Sequence, residues 1–353
     1  MAFGVYLHVP FCRRRCDYCA FATWTDRLHL ADRYLAACRR HLAEAVAAGV
    51  PSITSVFVGG GTPTLVAPDA LLAVLAEAPL APGAEVTVEC NPDDLTAELA
   101  DAYAAGGVTR LSIGVQSMDD GVLTALGREH RPENVVRAAA AARAAGLPFN
   151  LDLLYGAAGE TLDRWGATLD AAIALEPAHV SAYGLTVEAG TPLATDPARH
   201  PDDDEQADQY LLATERLGAA GYRWYEISNW ARPGHECRHN LLYWTGGEYL
   251  AIGCAAHGHR DGRRWWNHRT PERYVEAIES GRSPESGSET LDPAARRIEG
   301  LQLAIRTRRG VPATEVDDIL LHDLDGLLAR DGDRVVLTES GRLLANEVAI
   351  RLS

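Results

Sequence analysis

The 353-residue chain contains no lysine: all 33 of its basic residues are arginine, set against 49 acidic side chains for a net charge of −16. That absence excludes chemistry requiring a lysine amine, namely Schiff bases, a pyridoxal phosphate anchor and a Walker A phosphate loop. The acidic balance argues against a protein built to grip nucleic acid or an anionic membrane, since both need a basic footprint. No stretch reaches the roughly 18 apolar residues of a spanning helix. The start, Met1 to Pro10, lacks the basic region, apolar run and small-residue cleavage site of a secretory leader and reads as a first strand. A cytoplasmic protein is expected. Cysteines are few and odd in number, seven in all, which fits reduced thiols and metal ligation better than a disulfide framework.

Through the first two thirds, short segments rich in Val, Ile and aromatics alternate with Ala- and Leu-rich ones. The pattern predicts strands over 5–9, 53–58, 85–89, 110–115, 149–154, 180–185 and 223–227. Helices are expected over 31–48, 68–78, 95–105, 132–145, 162–175 and 205–219. This is the βαβ rhythm of an α/β protein with a parallel sheet, open or closed as a barrel. The rhythm breaks near residue 230. Residues 233–273 carry much His, Trp, Gly and Arg without a clean period, and 281–291 reads as a Ser/Gly/Pro linker. Helical patterns at 293–305 and 313–320, a strand at 335–337 and a last helix at 342–351 suggest a small winged-helix-like module. The expected division is 1–232, 233–290 and 291–353.

The sharpest chemical feature is Cys12-Arg13-Arg14-Arg15-Cys16-Asp17-Tyr18-Cys19, three thiols directly after the first strand. Thiolate is the preferred ligand of iron–sulfur clusters and of zinc. Three cysteines can hold three irons of a [4Fe–4S] cubane and leave the fourth iron open. An open iron can take a small molecule through amino and carboxylate groups, as S-adenosylmethionine (SAM) does. Electron transfer into the sulfonium then gives an adenosyl radical. A structural zinc site would want four closed ligands, usually as two pairs, and this loop has no second pair nearby. Cys38, Cys90, Cys237 and Cys254 are each isolated in sequence.

A C-x3-C-x2-C loop after the first strand resembles the radical SAM superfamily. Further motifs narrow the likeness to the oxygen-independent coproporphyrinogen III oxidase family and, within it, its heme-chaperone branch. They are Tyr6-Leu7-His8-Val9-Pro10-Phe11, Gly59-Gly60-Gly61-Thr62-Pro63-Thr64, Glu89-Cys90-Asn91-Pro92, Ser112 to Ser117, Leu126-Gly127-Arg128-Glu129-His130 and Asp152 to Gly156. The resemblance implies a partial (β/α)6 barrel with its site at the C-terminal ends of the strands. It implies Cys12, Cys16 and Cys19 as cluster ligands. It places Tyr6, Gly59, Gly60, Gly61, Thr62, Glu89, Gln116, Arg128 and Asp152 around SAM. The glycines would meet the amino end of SAM; the carboxylate, amide and guanidinium groups suit ribose hydroxyls and the methionine carboxylate.

Two features select the branch. The decarboxylating oxidases carry a fourth cysteine two residues past the third, where this chain has Phe21. His239-Asn240-Leu241-Leu242-Tyr243-Trp244 resembles the HNxxYW motif of the heme-binding branch. That branch implies a chaperone that binds heme and hands it to an acceptor protein; the alternative is a radical SAM coproporphyrinogen oxidase. His239 is the candidate heme ligand, with Tyr243 and Trp244 as pocket walls. His257, His259 and His268 are left unassigned. Arg13 to Arg15 would steer an acidic electron donor such as flavodoxin toward the cluster.

Overall fold

The computed structural model describes residues 2–352. Its main body is one sheet of twelve strands in the order β12-β11-β10-β9-β1-β2-β3-β4-β5-β6-β8-β7. Seven consecutive strands run parallel, β9 (Glu248–Ile252) beside the six of the barrel: β1 (Phe3–Val9), β2 (Ile53–Gly60), β3 (Leu80–Cys90), β4 (Arg110–Gln116), β5 (Phe149–Tyr155) and β6 (His179–Gly184). Between and after them run α1 (Ala31–Ala47), α2 (Pro68–Leu75), α3 (Ala97–Ala105), α4 (Asp120–Ala125), α5 (Pro132–Ala144), α6 (Leu162–Ala174) and α7 (Asp203–Ala219). Their starts are written in the sequence: Thr96, Asp119, Thr161 and Asp202 each accept backbone N–H bonds as N-caps. Pro68 and Pro132 open α2 and α5, where a missing N–H costs nothing.

Side-chain alternation explains where the core sits. In β5, Phe149, Leu151, Leu153 and Tyr155 belong to the apolar core. Their neighbours Asn150, Asp152 and Leu154 face an interior cavity. The same period of two puts Leu111, Ile113 and Val115 of β4 in the core and Ser112, Gly114 and Gln116 on the cavity. Tyr6 of β1 and Tyr183 of β6 line that one cavity, so the six strands curl around it. The ring stays open, because β1 pairs onward with β9 (Glu248–Ile252) and β6 with β8 (Asn229–Ala231). The fold is α/β, a partial barrel with a polar interior face.

The C-terminal third departs from the sequence reading in several places. The strand expected at 223–227 is β7 (Arg223–Glu226), which forms an antiparallel hairpin with β8 at the sheet edge. The aperiodic stretch holds α8 (Arg238–Trp244), β9, β10 (His257–Arg260), β11 (Arg263–Asn267) and α9 (Pro271–Glu279). The expected linker contains β12 (Glu285–Thr290), paired antiparallel to β11. An edge strand mostly exposed on both faces needs no hydrophobic alternation, so its Glu-Ser-Gly-Ser-Glu-Thr sequence reads as a loop. Residues 248–290 thus extend the main sheet. Beyond lie α10 (Pro293–Ala304), β13 (Val311–Pro312), α11 (Asp318–Asp323), β14 (Leu328–Asp331), β15 (Arg334–Leu337), α12 (Glu339–Leu343) and α13 (Ala345–Arg351). They enclose a separate apolar core around Ile305, Val335 and Val348. The last helix, expected to be continuous, breaks at Leu344.

Candidate functional site

The cavity encloses about 510 Å³ and runs from the cysteine loop into the barrel interior. All three motif cysteines line it and are partly exposed, whereas Cys38, Cys90, Cys237 and Cys254 are buried. The loop is pinned at both ends: Cys12 N–H donates to Trp24 O at 3.1 Å and Cys19 N–H to Cys16 O at 3.2 Å. Between them Asp17 pairs with Arg199 at 2.8 Å. Asp17 packs so close to Gly127 that a Cβ there would stand 2.7 Å from its carboxylate oxygen, which accounts for glycine at that position.

The surroundings suit an anionic cluster. Arg128 donates to Cys16 Sγ at 3.5 Å, and Thr62 Oγ1 donates to Cys12 Sγ at 3.7 Å. Burial pushes the Cys12 thiol up to about 11, against the pull of the Thr62 bond, and burial also raises Cys19. Metal binding must therefore displace protons from the loop. Among the described residues no three His, Cys, Asp or Glu side chains converge on a point that could hold one ion. A zinc site needs such convergence; a cubane offers each thiolate its own iron corner. The donor set fits the cluster.

Beside the loop, the turn after β2 shows why glycine is required. Gly60 sits at φ +111°, and a Cβ on it would stand 2.3 Å from the His8 ring. A Cβ on Gly61 would meet Phe11 O at 2.6 Å. The amides of Gly60, Gly61 and Thr62 are already spent on Glu89 Oε2, Val9 O and Phe11 O. What the turn can still present to a ligand is carbonyl oxygen, an acceptor matched to an ammonium. Gly60, Gly61 and Thr62 line the cavity, but Gly59 does not. The Glu89 carboxylate lies 2.8 Å from where a Gly59 Cβ would be and covers it.

Tyr6, Glu89, Gln116, Arg128 and Asp152 all reach the cavity. Burial, aided by the Asp152 charge, pushes the Glu89 carboxyl up to about 8. Burial raises Asp152 too, opposed by hydrogen bonds from Ser112, Ser181 and Asn150. Gln116 adopts φ +64° where β4 slips register against β5. That is a strained backbone for a side chain of its size, of the kind held at functional sites. Arg128 spans the end of β4, donating to Gly114 O at 2.9 Å and Asn91 Oδ1 at 3.2 Å; a Cβ on Gly114 would stand 3.2 Å from Gln116 Nε2.

Helix α8 forms the opposite part of the cavity. His239 is 1% exposed and packs against Phe57, its ring centroid 5.6 Å away. Both ring nitrogens are engaged, Nδ1 with Ser55 Oγ at 3.0 Å and Nε2 with Tyr243 Oη at 2.9 Å. Burial lowers its pKa to about 3, so the imidazole is neutral. Tyr243, one turn on, shares this face and lines the cavity; Trp244 does not. Residues i and i+4 stack on a helix face while i+5 turns away, and Trp244 accordingly points off the cavity lining in this structure. Glu85 of β3 anchors the helix, accepting from Arg238 N–H and His239 N–H at 3.0 Å each.

The sequence reading missed the cavity's floor. Asn150 donates to Ser112 Oγ and Asp152 Oδ1 at 2.7 Å, and its amide oxygen meets His179 Nδ1. His179 Nε2 reaches Tyr225 Oη at 2.8 Å, and Asn240 donates to Tyr225 Oη at 3.4 Å. This network links the Asp152 carboxylate to the HNxxYW-like helix. Its signal was present: polar residues at i and i+2, Asn150/Asp152 and His179/Ser181, inside otherwise apolar strands. Of the triple arginine, Arg13 pairs with Asp94 and Arg14 with Glu129.

A parallel barrel with three thiols at one end of its cavity is the plan of a radical SAM protein. The radical SAM superfamily model matches residues 6–172. The Escherichia coli coproporphyrinogen III oxidase HemN, a radical SAM enzyme, superposes with a TM-score of 0.86 over 99% of this chain and 90% of that one. At 21% identity this likeness speaks for the fold alone. The Mycobacterium tuberculosis heme chaperone HemW is 44% identical over 98% of this chain and 93% of its own length. Its counterparts in Escherichia coli and Bacillus subtilis are 36% and 33% identical, again over 98% of the chain. The chain belongs to the HemW family of the radical SAM superfamily, whose cofactors are a [4Fe–4S] cluster and SAM.

Proposed function

We propose that the protein is a heme chaperone: it holds heme together with a SAM-ligated cluster and passes the heme to an acceptor protein. The observation carrying this reading is the full-length relationship to proteins named heme chaperones, at 44% identity over 98% of the chain. The cavity supports it, because one continuous space joins the cysteine loop to His239 and Tyr243 of α8. Cys12, Cys16 and Cys19 hold the cluster. Gly60, Gly61, Thr62, Glu89, Gln116, Arg128, Asp152 and Tyr6 hold SAM, with Gly59 clearing space for Glu89. For His239 to ligate heme iron, its Nε2 must give up the Tyr243 hydroxyl. Seven cysteines, none in a disulfide, suit a reducing compartment, and we place the protein in the cytoplasm. Among the described residues no helix is long and apolar enough to cross a membrane.

The reading is tested by titrating anaerobically reconstituted protein with heme, then incubating it with coproporphyrinogen, SAM and reductant. A shifted Soret band without vinyl-bearing product is expected. Product formation would replace the chaperone by an oxidase. An acidic electron carrier would approach the loop past Arg15, whose charge no carboxylate pairs among the described residues. With Arg13 to Arg15 all changed to Gln, slower reduction by flavodoxin at low salt is expected; an unchanged rate would remove that partner.

Glu89 gives this site a pH dependence. Its folded-state pKa, about 8, lies above the ordinary 4.5. The folded protein therefore holds this proton more tightly than the unfolded chain. Its contribution to stability is complete below pH 4.5 and declines as pH rises toward 8. Ribose hydroxyls donate best to an ionised carboxylate, so SAM binding should expel the proton. Calorimetry at pH 7 in buffers of different ionisation enthalpy is expected to register release of about one proton per SAM. Affinity should rise from pH 6.5 to 8, and Glu89→Gln should abolish both effects.

A further inference from the structure

Arg110 is the most deeply buried arginine among the described residues, 6% exposed, yet no carboxylate lies within ion-pairing distance of it. Arginines at the surface do have such partners, Arg216 with Asp170 and Arg164 with Asp119 among them. The order is the reverse of what solvation demands, since an unpaired charge costs most where it is least hydrated. Arg110 is the first residue of β4, and its side chain lines the cavity. Its one protein hydrogen bond runs from Nη1 to His235 O at 2.8 Å. Around it stand neutral groups, namely the His179 ring, the Tyr225 hydroxyl and the Cys237 thiol, all of which feel its charge. Two acids stand nearby: Asp152 is committed to Ser112 and Asn150, and Glu85, at 3.4 Å from the Cys237 thiol, is committed to the amides of Arg238 and His239. A buried cation facing a cavity, with neutral polar neighbours, is a site lacking its anion.

We propose that Arg110 binds a carboxylate of the ligand carried beside α8, a propionate of the heme; the proposal rests on the chaperone reading above. Two ligands on this cavity carry carboxylates, and position separates them. Arg128 rests on Gly114 O and reaches Cys16, at the cluster end. The backbone of Arg110 lies four residues, about 13 Å of strand, below that of Gly114. Arg128, already at the cluster end, is the partner placed for a methionine carboxylate bound at the open iron. Arg110 instead holds the carbonyl of His235, in the segment that leads directly into α8 and His239. Anchor and candidate axial ligand are thus carried side by side. Tyr225 and Asn240, already hydrogen-bonded to each other at 3.4 Å, supply neutral donors next to the same carboxylate.

The test compares heme with its dimethyl ester, whose propionates carry no charge, by Soret titration of the reconstituted full chain. A charge-assisted bond of this kind predicts that the wild type binds the ester about 10- to 100-fold more weakly. Arg110→Gln should bind heme about as weakly as the ester and no longer discriminate, while Arg110→Lys should retain most of the preference. The SAM-induced change in the cluster EPR spectrum should persist in Arg110→Gln. Equal binding of heme and ester by the wild type would overturn the proposal even if no variant folds. So would a folded Arg110→Gln protein that still discriminates, or one that loses its SAM response but keeps heme. Binding of neither porphyrin by the wild type would remove the chaperone reading and this anchor with it.

Discussion

Serine in place of Cys16 is expected to leave anaerobically reconstituted protein with almost no cluster iron or acid-labile sulfide. Among the described residues the three thiols of the loop are the only partly exposed cysteines, and all face the cavity. An alkoxide is a poor substitute for thiolate on a soft iron–sulfur core. Arg128 would also lose the sulfur it now donates to at 3.5 Å, leaving its charge without the cluster's. The effect should be confined to cofactor content, because the loop backbone is held by bonds that do not involve the Cys16 side chain. Asp17 N–H donates to Leu126 O at 3.3 Å, and Asp17 pairs with Arg199. Chemical denaturation of the cluster-free forms should therefore give unfolding free energies within about 0.5 kcal/mol of each other. Cys38→Ala, a change in a fully buried thiol away from the cavity, should retain iron and sulfide. A Cys16→Ser protein with a full complement of both would show that the ligands lie elsewhere.

Alanine at Gly60 is expected to destabilise the fold by about 3 kcal/mol and to abolish SAM binding. Two costs combine there. The backbone sits at φ +111°, where an L side chain is strained by about 1–2 kcal/mol. The new Cβ would also stand 2.3 Å from two atoms of the His8 ring. That ring cannot easily move: it is 5% exposed and held by Ala22 O at 2.9 Å and the Tyr6 hydroxyl at 3.1 Å. Displacing it would drag Tyr6 out of the cavity wall. Gly49→Ala separates the two terms, since Gly49 has φ +97° with nothing within 4 Å of the added atom. It should cost only the backbone strain and leave SAM binding intact. Urea denaturation of both variants measures the difference; equal losses would mean that the His8 contact contributes nothing.

The barrel was legible because the core-facing positions of its strands recur in Val, Ile and Leu. The expected strand at 149–154 and the observed Phe149–Tyr155 differ by a single residue. The cysteine loop and the glycine turn were legible because their residue types have few other uses in that pattern. Position on a face was harder to read. Gly59 and Trp244 belong to the right motifs, but Glu89 covers the first and helical rotation carries the second off the cavity. Residues 248–290 concealed four strands; beyond β9 they form an antiparallel edge, which exposes side chains that a hydrophobic period would have hidden. Least visible was the attachment of α8 through Glu85, whose partners lie more than 150 residues away in sequence. Arg110 stood in plain view at the head of a strand, yet only its burial without a counter-ion distinguishes it from any other arginine.

The most direct measurement is EPR of the reduced cluster in reconstituted protein, recorded with and without SAM. A cluster held by Cys12, Cys16 and Cys19 alone keeps one iron open, and adding SAM should change the g values. A spectrum that SAM leaves unmoved, with iron content full, would mean that a fourth protein ligand closes that iron, and the account of the cavity would fail.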